Sequence, residues 1–219
     1  MKKKKVPSLV KDQSLIKIRR EQIIKASVQL FKEKGYHETT TREVARASGF
    51  SIGTLYEYIG SKEDILYLVC DAVYEEVLEK WQQLVDKDLQ GIHRLYQIID
   101  AYFQVVDDMQ DEVLVMYQET KSLTKEALNY VIEKEDIMKR MFQKEIATCR
   151  DEGLLNLSDE EISLASHNIL VAGHMWSFRR WAVQKEFDFK NYRKWQIAQL
   201  FQGFGLEKME ELLEENQST

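Results

Sequence analysis

A short stretch of the sequence places hydroxyl and aromatic side chains on what would be the polar face of one helix. The side chains of this face are Ser51, Thr54, Tyr56, Glu57 and Tyr58. Hydroxyl groups and aromatic edges suit contacts with the phosphates and bases of a nucleic acid. Lys62 follows at the predicted start of another helix, where a cation beside the helix N-terminus favours phosphate. This stretch is therefore the first candidate for a binding site.

A second cluster sets two arginines among large aromatic side chains. It is the run Met175-Trp176-Ser177-Phe178-Arg179-Arg180-Trp181. A guanidinium group can bind a carboxylate or a phosphate through two hydrogen bonds, while the rings supply an apolar wall. The run could thus hold an anion with an apolar part. Pairing of Arg179 or Arg180 with an acidic neighbour on the same helix explains it equally well.

Metal and catalytic chemistry find little support. His167 and His174 share a helix face but stand about 10 Å apart, which is too far for one metal ion. The sequence contains no glycine-rich phosphate loop, no nucleophile elbow and no pair of catalytic carboxylates. We therefore expect no metal, no cofactor and no enzymatic activity.

Targeting and redox signals point to the cytoplasm. Cys70 and Cys149 have neither metal-binding nor redox spacing, which suits a reducing compartment. The longest apolar stretch, near 170–178, is interrupted by His174 and is too short to span a bilayer. The N-terminal lysines are not followed by an apolar segment, as a signal peptide would require. We expect a cytoplasmic protein without membrane contact.

Three features after Thr40 indicate a helix-turn-helix. Thr40 and Glu43 have the spacing of a capping box, which begins a short helix. Gly49 supplies the positive φ that a tight turn between two helices commonly needs. Leu55 follows at the spacing that seals the second helix against the first, close to the small Ala45. In such a motif the second helix lies in the major groove of DNA, although an ordinary helical corner has the same spacing.

The rest of the chain is predicted to be helical. Only one of the 219 residues is proline, and no alternating apolar pattern is long enough for a sheet. The expected fold class is all-α, with an N-terminal three-helix helix-turn-helix domain and a larger helical body. Long helices are expected at 61–86, 90–108, 111–120, 123–152, 158–185 and 188–214.

Charge is divided unevenly along the chain. The first 62 residues carry 14 Lys and Arg against 6 Asp and Glu, whereas the remainder carries 17 against 31. A basic block before an acidic body is typical of a segment that binds a polyanion, although lysines 2–5 would also form a solvated tail. We predict a basic flexible tail over 1–16, a DNA-binding domain over 17–62 and a helical domain over 63–219.

The N-terminal region strongly resembles the DNA-binding domain of the TetR family of bacterial repressors. The matching motifs are Phe31-x-x-x-Gly35-Tyr36, Thr39-Thr40, Val44-Ala45, Gly49-Phe50-Ser51, Gly53-Thr54-Leu55-Tyr56-x-Tyr58 and Ser61-Lys62-Glu63. Ile59 stands where phenylalanine is usual and preserves the apolar contact. The resemblance implies that double-stranded operator DNA is contacted by Thr40, Ser51, Thr54, Tyr56, Tyr58 and Lys62. Of these, Tyr56 and Lys62 would act mainly through phosphates.

The resemblance also implies a repressor that forms a homodimer. Stripes of small and apolar residues on two C-terminal helices would let two helices from each chain make a four-helix interface. The expected interface residues are Ile162, Ile169, Gly173, Trp195, Gln199 and Leu206. Packing within one chain would explain the same stripes.

In this family the helical body binds a small effector that releases the DNA. The run 175–181, together with 117–121, is similar to the branch of the family that responds to fatty-acyl-CoA. The expected effector-binding residues are Phe103, Tyr117, Trp176, Arg179 and Arg180. The alternatives are a multidrug-type or other apolar effector, or a DNA-binding protein of the same fold that senses no ligand. A helical protein that touches membranes fits less well, because membrane adhesion requires no helix-turn-helix.

Overall fold

The computed structural model describes residues 4–86 and 88–206. Within these ranges the chain forms α-helices and no β-strand, so the all-α prediction is confirmed. A short 3-10 turn at Thr120–Ser122 separates the sixth and seventh helices. The helices are α1 (Gln13–Glu38), α2 (Thr41–Ala47), α3 (Ile52–Tyr58), α4 (Lys62–Leu84), α5 (Gly91–Asp108), α6 (Gln110–Glu119), α7 (Lys125–Asp151), α8 (Asp159–Phe178), α9 (Arg180–Glu186) and α10 (Phe189–Gly203).

The chain divides into two compact units. The first comprises Met1–Glu76 and Asp111–Glu135, and the second comprises Val77–Gln110 and Asp136–Thr219. Helices α4 and α7 each contribute to both units. The contact pattern therefore differs from the domain boundary predicted after residue 62.

In the first unit, α1–α3 and the start of α4 pack around one apolar core. Ile23 of α1, Leu55 of α3 and Ile65 of α4 are each fully buried. Gly35 interrupts α1 near its end with a φ of 83°, which a residue with a side chain rarely adopts. The interruption turns the chain toward α2, and Tyr36, just beyond it, is buried.

The N-terminal segment differs from the predicted flexible tail. Helix α1 begins at Gln13, inside the segment 1–16 that was predicted to be a flexible tail, because the Asp12 side chain accepts hydrogen bonds from the backbone N–H groups of Ser14 and Leu15. Residues 4–11, hereafter the N-terminal strap, form neither helix nor strand and are hydrogen-bonded to other parts of the first unit. Val6 within the strap is only 6% exposed. The prediction followed charge alone and missed this apolar anchor.

The core of the second unit is a cluster of aromatic rings from α4, α5 and α7. Trp81, Tyr102 and Phe142 lie within 4.8–6.1 Å of one another, measured between ring centroids. The Trp81 indole N–H donates to the carbonyl of Ile98 at 2.8 Å. The polar atom of this large side chain is thus satisfied inside the core.

Helix α8 packs its small-residue stripe against α5 of the same chain. A Cβ atom added at Gly173 would lie 2.5 Å from Cε1 of Tyr102. The Tyr102 hydroxyl donates to the carbonyl of Leu170 at 3.2 Å. Ile162 and Ile169 are also buried. Packing within one chain, rather than between two, therefore explains this stripe.

The helix predicted over 158–185 is broken near its end. Helix α8 stops at Phe178, Arg179 has φ −107° and ψ 18°, and α9 begins at Arg180. The last helix, predicted over 188–214, ends at Gly203, and residues 204–206 are not helical. Positions 207–214 of that prediction lie outside the described residues. No helix in 4–86 or 88–206 is both long and apolar enough to cross a membrane.

Both cysteines are buried. Cys70 lies on α4 in the first unit, and Cys149 lies on α7 in the second. Burial raises the pKa of the Cys70 thiol to about 12, and it raises that of Cys149 to about 11. Both thiols are therefore held in the unreactive, protonated form.

Candidate nucleic-acid interface

The start of α2 is fixed by a complete capping box. The Thr40 hydroxyl accepts from the backbone N–H of Glu43, and the Glu43 carboxylate accepts from the backbone N–H of Thr40 at 2.9 Å. Lys34 of α1 donates to the same carboxylate at 2.6 Å. Hydrogen bonds from Lys34 and Thr40 lower the pKa of Glu43 to about 2. Thr40 is thus exposed but held in one orientation.

The turn between α2 and α3 closes as the sequence predicts. Gly49 has a φ of 77°, and the N–H of Phe50 donates back to the carbonyl of Ala45 at 2.8 Å. Ala45 and Leu55 are 2% and 0% exposed, so the two helices are sealed against each other. Ser51 caps the N-terminus of α3, and its hydroxyl accepts from the backbone N–H of Thr54 at 3.0 Å.

The outer face of α2 and α3, hereafter the hydroxyl face, carries the hydroxyl groups of Thr41, Ser51, Thr54 and Tyr56. Ser51 is exposed, Thr54 is half-buried, and their hydroxyl oxygens lie 2.9 Å apart. Tyr56 is 43% exposed, and its hydroxyl lies 3.2 Å from that of Thr41 on α2. The two helices therefore present their hydroxyls together, as a groove-binding surface requires.

Tyr58 does not belong to this face. Its side chain is only 5% exposed and packs near the ring of Phe50, with 6.3 Å between the centroids. Position 58 lies three residues after Leu55 and so shares the inward side of α3. Tyr58 therefore packs into the core and is not presented beside the other predicted DNA contacts.

Lys62 is engaged by the protein itself. Its ammonium group donates to the carbonyl of His37 at 3.0 Å and lies 4.3 Å from the centroid of the Tyr36 ring. Burial lowers the pKa of Lys62. The side chain is half-buried and joins the start of α4 to the corner between α1 and α2.

Two cations of α2 were missed by the sequence analysis. Arg42 and Arg46 are both exposed and lie four residues apart, so they share one side of the helix. This i, i+4 spacing directly after the capping Thr40 could have identified them. They add positive charge beside the hydroxyl face.

The Glu119 carboxylate at the end of α6 is hydrogen-bonded to the backbone just after the kink of α1 at Gly35. Glu119 accepts from the backbone N–H of Tyr36 at 3.3 Å and from the hydroxyl of Ser122 at 3.2 Å. The Ser122 hydroxyl also lies 3.0 Å from Nε2 of His37. We call Glu119, Tyr36, Ser122 and His37 the Glu119 clasp. All of them belong to the first unit, so the clasp ties the α6 segment to the helix-turn-helix.

Some of the predicted effector residues are buried in the core, and others lie at the surface. Phe103 and Trp176 are 1% and 5% exposed, and both pack against the ring of Tyr192 at centroid distances of 6.3 and 5.0 Å. The Trp176 indole N–H donates to Asp107 at 2.6 Å. Phe103 and Trp176 are therefore core side chains rather than an open wall.

The remaining effector candidates lie at the surface. Arg179 is exposed and stands 5.9 Å from the centroid of the Trp181 ring, while Arg180 is half-buried. Tyr117 is 58% exposed and belongs to the first unit, whereas the two arginines belong to the second. Within the second unit, the structure thus brings the arginines together only at the junction of α8 and α9.

The predicted interface residues also divide into two groups. Trp195 is 59% exposed and Gln199 is exposed on α10, while Leu206 is half-buried. The predicted α8 residues Ile162, Ile169 and Gly173 face the chain's own core, as described above. The exposed apolar side of α8 instead carries Leu164 and Val171, which are 62% and 56% exposed. Their spacing of two helical turns was the available signal.

Comparison with known proteins places these features in a family. Residues 23–67 match the model of bacterial regulatory proteins of the tetR family, and residues 88–181 match a tetracyclin repressor-like C-terminal domain. The HTH-type transcriptional regulator HbdR of Aromatoleum sp. (strain CIB) is 33% identical over 191 residues, which are 85% of this chain and 81% of that protein. The HTH-type transcriptional repressor KstR2 of Mycolicibacterium smegmatis is 24% identical over 48% of this chain and 52% of its own.

Solved structures share the fold. A tetR-family regulatory protein from Rhodococcus RHA1 has a TM-score of 0.76 at 23% identity, covering 85% of this chain and 96% of the other. AibR, solved in complex with isovaleryl coenzyme A and operator DNA, has a TM-score of 0.72 at 18% identity, covering 84% and 98%. The family and these relatives are transcriptional regulators and not enzymes. By its helix-turn-helix and its likeness to HbdR, this chain belongs to the TetR family of bacterial transcriptional regulators.

Proposed function

We infer that this regulator is a cytoplasmic repressor that binds operator DNA as a homodimer and leaves it when a small apolar effector binds. The observation that carries this inference is the hydroxyl face of α2 and α3. Ser51, Thr54 and Tyr56 are held on one side of a sealed helix-turn-helix by hydrogen bonds that fix their orientation. A surface fixed before it meets DNA loses little entropy on binding.

The geometry supports different roles for these residues. Ser51 and Thr54 begin α3, where recognition helices contact base edges. Tyr56 and the N-terminal turn of α2 at Thr40 suit phosphates, with Arg42 and Arg46 as the nearby cations. Lys62 acts indirectly in this proposal, by holding the carbonyl of His37 and so the corner that precedes α2.

Substitutions on this face test the DNA-binding role. Arg42→Ala or Arg46→Ala should weaken binding to all sequences and lower the slope of log affinity against log salt by about one. Thr54→Val should instead change which sequence is preferred. The probe is a duplex that the wild-type protein selects from a random pool, titrated by fluorescence anisotropy at several salt concentrations.

The matched control for the arginines is Lys185→Ala, which removes an exposed cation from α9. It should leave both the affinity and the salt slope unchanged. Unchanged binding in all the α2 and α3 variants would contradict the assignment of this face.

The proposed dimer uses the outward sides of α8 and α10. Leu164 and Val171 on α8 and Trp195 on α10 are each more than half exposed. A groove of about 290 Å³ between these helices is lined by Leu164, Ala172 and Gln199, among others. Exposed apolar residues on two adjacent helices suit a four-helix contact with a second copy.

For the effector we propose an acyl-CoA-like ligand, with another apolar molecule as the alternative. Support comes from the fold shared with AibR, which was solved with isovaleryl coenzyme A, and from the cations at the end of α8. Arg179 is exposed and beside an aromatic ring, which suits the phosphates of coenzyme A. Phe103 and Trp176 would act only as supports of such a site, because both are core side chains.

Calorimetry with acyl-CoAs of several chain lengths, beside an operator-release assay, tests this ligand. Ligand and operator should oppose each other by a coupling energy of ~1–3 kcal/mol. Arg179→Ala should weaken release without changing DNA affinity, whereas Lys185→Ala should change neither. An absence of both heat and release at every chain length would exclude acyl-CoA and leave the other apolar effector.

A further inference from the structure

The carboxyl end of α3 receives hydrogen bonds from distant parts of the chain. The last carbonyl groups of any helix lack partners within it. Here the Glu57 carbonyl accepts from the backbone N–H of Leu9 and from the Ser8 hydroxyl, both at 2.8 Å. Both donors belong to the N-terminal strap. The strap therefore caps the helix that carries the hydroxyl face.

A single arginine joins the strap to the same helix end. The Arg20 side chain of α1 donates through Nε to the carbonyl of Tyr58 at 3.1 Å. Through Nη2 it donates to the carbonyls of Val6 and Pro7 at 3.0 and 3.2 Å. Because the donors of one guanidinium group are planar and fixed relative to one another, they hold the strap carbonyls at a nearly constant distance from the Tyr58 carbonyl.

The other end of the strap is fastened to α4. The Lys4 ammonium lies 2.8 Å from a carboxylate oxygen of Asp64, and these side chains are only 16% and 7% exposed. The backbone N–H of Lys4 donates to the Tyr67 hydroxyl at 2.9 Å. An ion pair this buried resists screening by salt better than a surface pair does.

The strap passes so close to the α3–α4 turn that only glycine fits there. A Cβ atom at Gly60 would lie 2.7 Å from Cγ of Pro7 and 2.9 Å from a carboxylate oxygen of Asp64. The Gly60 backbone N–H donates to that same carboxylate at 3.0 Å. Residues 4–11 and 57–67 are therefore held together by hydrogen bonds, one ion pair and one close contact, and we call this region the joint.

We propose that the N-terminal strap is a positioning element for operator recognition. It holds the carboxyl end of α3 at a fixed place relative to α4, and so it sets the angle at which the hydroxyl face meets DNA. The proposal rests on the DNA-binding role inferred above. A seven-residue helix is too short to hold its own conformation, so its ends must be held from outside. In this role the ammonium of Lys4 stabilises the joint rather than contacting phosphate.

The test removes the strap's donors one at a time in the full-length protein. Leu9→Pro deletes the N–H that caps Glu57, and the matched control Leu9→Ala keeps it. The Leu9 side chain is 81% exposed, so its loss alone should matter little. Ser8→Ala removes the second donor, together with the acceptor of the Val10 backbone N–H at 3.2 Å. It covers the case in which the proline variant does not fold. The probes are the duplex selected by the wild-type protein and an unrelated duplex of the same length.

A positioning role predicts a particular pattern. Leu9→Pro should bind the selected duplex about tenfold more weakly, and Ser8→Ala about threefold, as the loss of one hydrogen bond would allow. Binding to the unrelated duplex and the salt slope should stay unchanged, since no phosphate contact is lost. Leu9→Ala should behave as the wild type does.

Other outcomes would overturn the inference in distinguishable ways. A smaller salt slope, with equal losses on both duplexes, would show that the strap contacts DNA directly. Unchanged affinity in both donor variants would show that the joint is not needed for recognition. If the wild-type protein itself selected no duplex, that result would contradict the proposed DNA-binding role, and the positioning role would then have no basis.

Discussion

At the scale of single side chains, His174 should make the stability of the fold depend on pH below neutrality. It lies on α8 beside the Tyr102 ring, with 6.3 Å between ring centroids. Burial lowers its pKa to about 4 from an ordinary value of 6.5. Between these values the unfolded chain takes up a proton that the folded chain does not, so stability falls as the pH falls. From pH 7 to pH 5 the loss should reach roughly 2 kcal/mol.

Thermal unfolding at the two pH values measures this effect. His174→Leu should unfold with a smaller difference between pH 7 and pH 5 than the wild type, because no proton can be taken up at that position. His167→Leu replaces an exposed histidine on the same helix and should leave the difference unchanged. Equal pH dependence in all three proteins would show that other groups cause it.

Individual residues of the candidate interface were predicted unevenly from the sequence. Thr40 follows from local capping rules, and the structure gives it the helix-capping position. Ser51, predicted only as a DNA contact, caps α3 as well. Tyr58 and Lys62 depend on which neighbours enclose them, and their partners lie up to 26 residues away. Resemblance to a family indicates which residue type stands at a position. Whether that side chain is buried depends on contacts with residues distant in sequence, which local spacing does not predict.

At the scale of elements, the contact between α5 and α8 should tolerate no added volume. Gly173→Ala places a methyl group 2.5 Å from the Tyr102 ring and should destabilise the fold by about 1–3 kcal/mol. Ile132→Ala removes apolar atoms from an exposed side chain of α7, outside the proposed interface, and should have little effect. Urea unfolding of both variants measures the difference, and equal stability would contradict close packing at Gly173.

The Glu119 clasp should influence DNA binding from outside the hydroxyl face. Glu119→Ala leaves the N–H of Tyr36 without its acceptor and should loosen the corner before α2. We expect operator affinity to fall about threefold to tenfold, as one hydrogen bond allows. Amide hydrogen exchange at Tyr36 should be faster in this variant.

Glu119→Gln keeps one acceptor oxygen and should retain most of the affinity, while Gln118→Ala changes an exposed neighbour and serves as the control. If Glu119→Ala accelerated exchange at Tyr36 without weakening DNA binding, the clasp would be structural only.

Elements with a local signal were predicted well, and elements held by distant contacts were not. The capping box and the glycine turn identified α2 and the start of α3 correctly. The strap escaped prediction because its main partners, such as the carbonyl of Glu57 for Leu9, lie almost fifty residues along the chain. The break before α9 contains neither glycine nor proline, so the local sequence did not predict it.

For the whole molecule, assembly should depend on the outward side of α8. Val171→Asp puts a charge on the proposed interface and should yield monomers. Operator affinity should then drop sharply, because two half-sites are no longer engaged together. Sedimentation and anisotropy measure the two effects. Ile132→Asp alters a similarly exposed apolar residue on α7, at 52% exposure, and should leave the assembly intact.

A Val171→Asp protein that sediments as the wild type does would move the interface elsewhere. A wild-type monomer that binds its selected duplex tightly would contradict the homodimer itself.

The two buried thiols can report when each unit opens locally. Cys70 and Cys149 lie in different units, and each is at most 2% exposed. A thiol reagent can therefore react with either one only while its surroundings are open. Labelling rates followed by peptide mass spectrometry would time the opening of each unit separately, without any engineered cysteine. Added operator should slow labelling at Cys70. An effector bound to the second unit should slow labelling at Cys149.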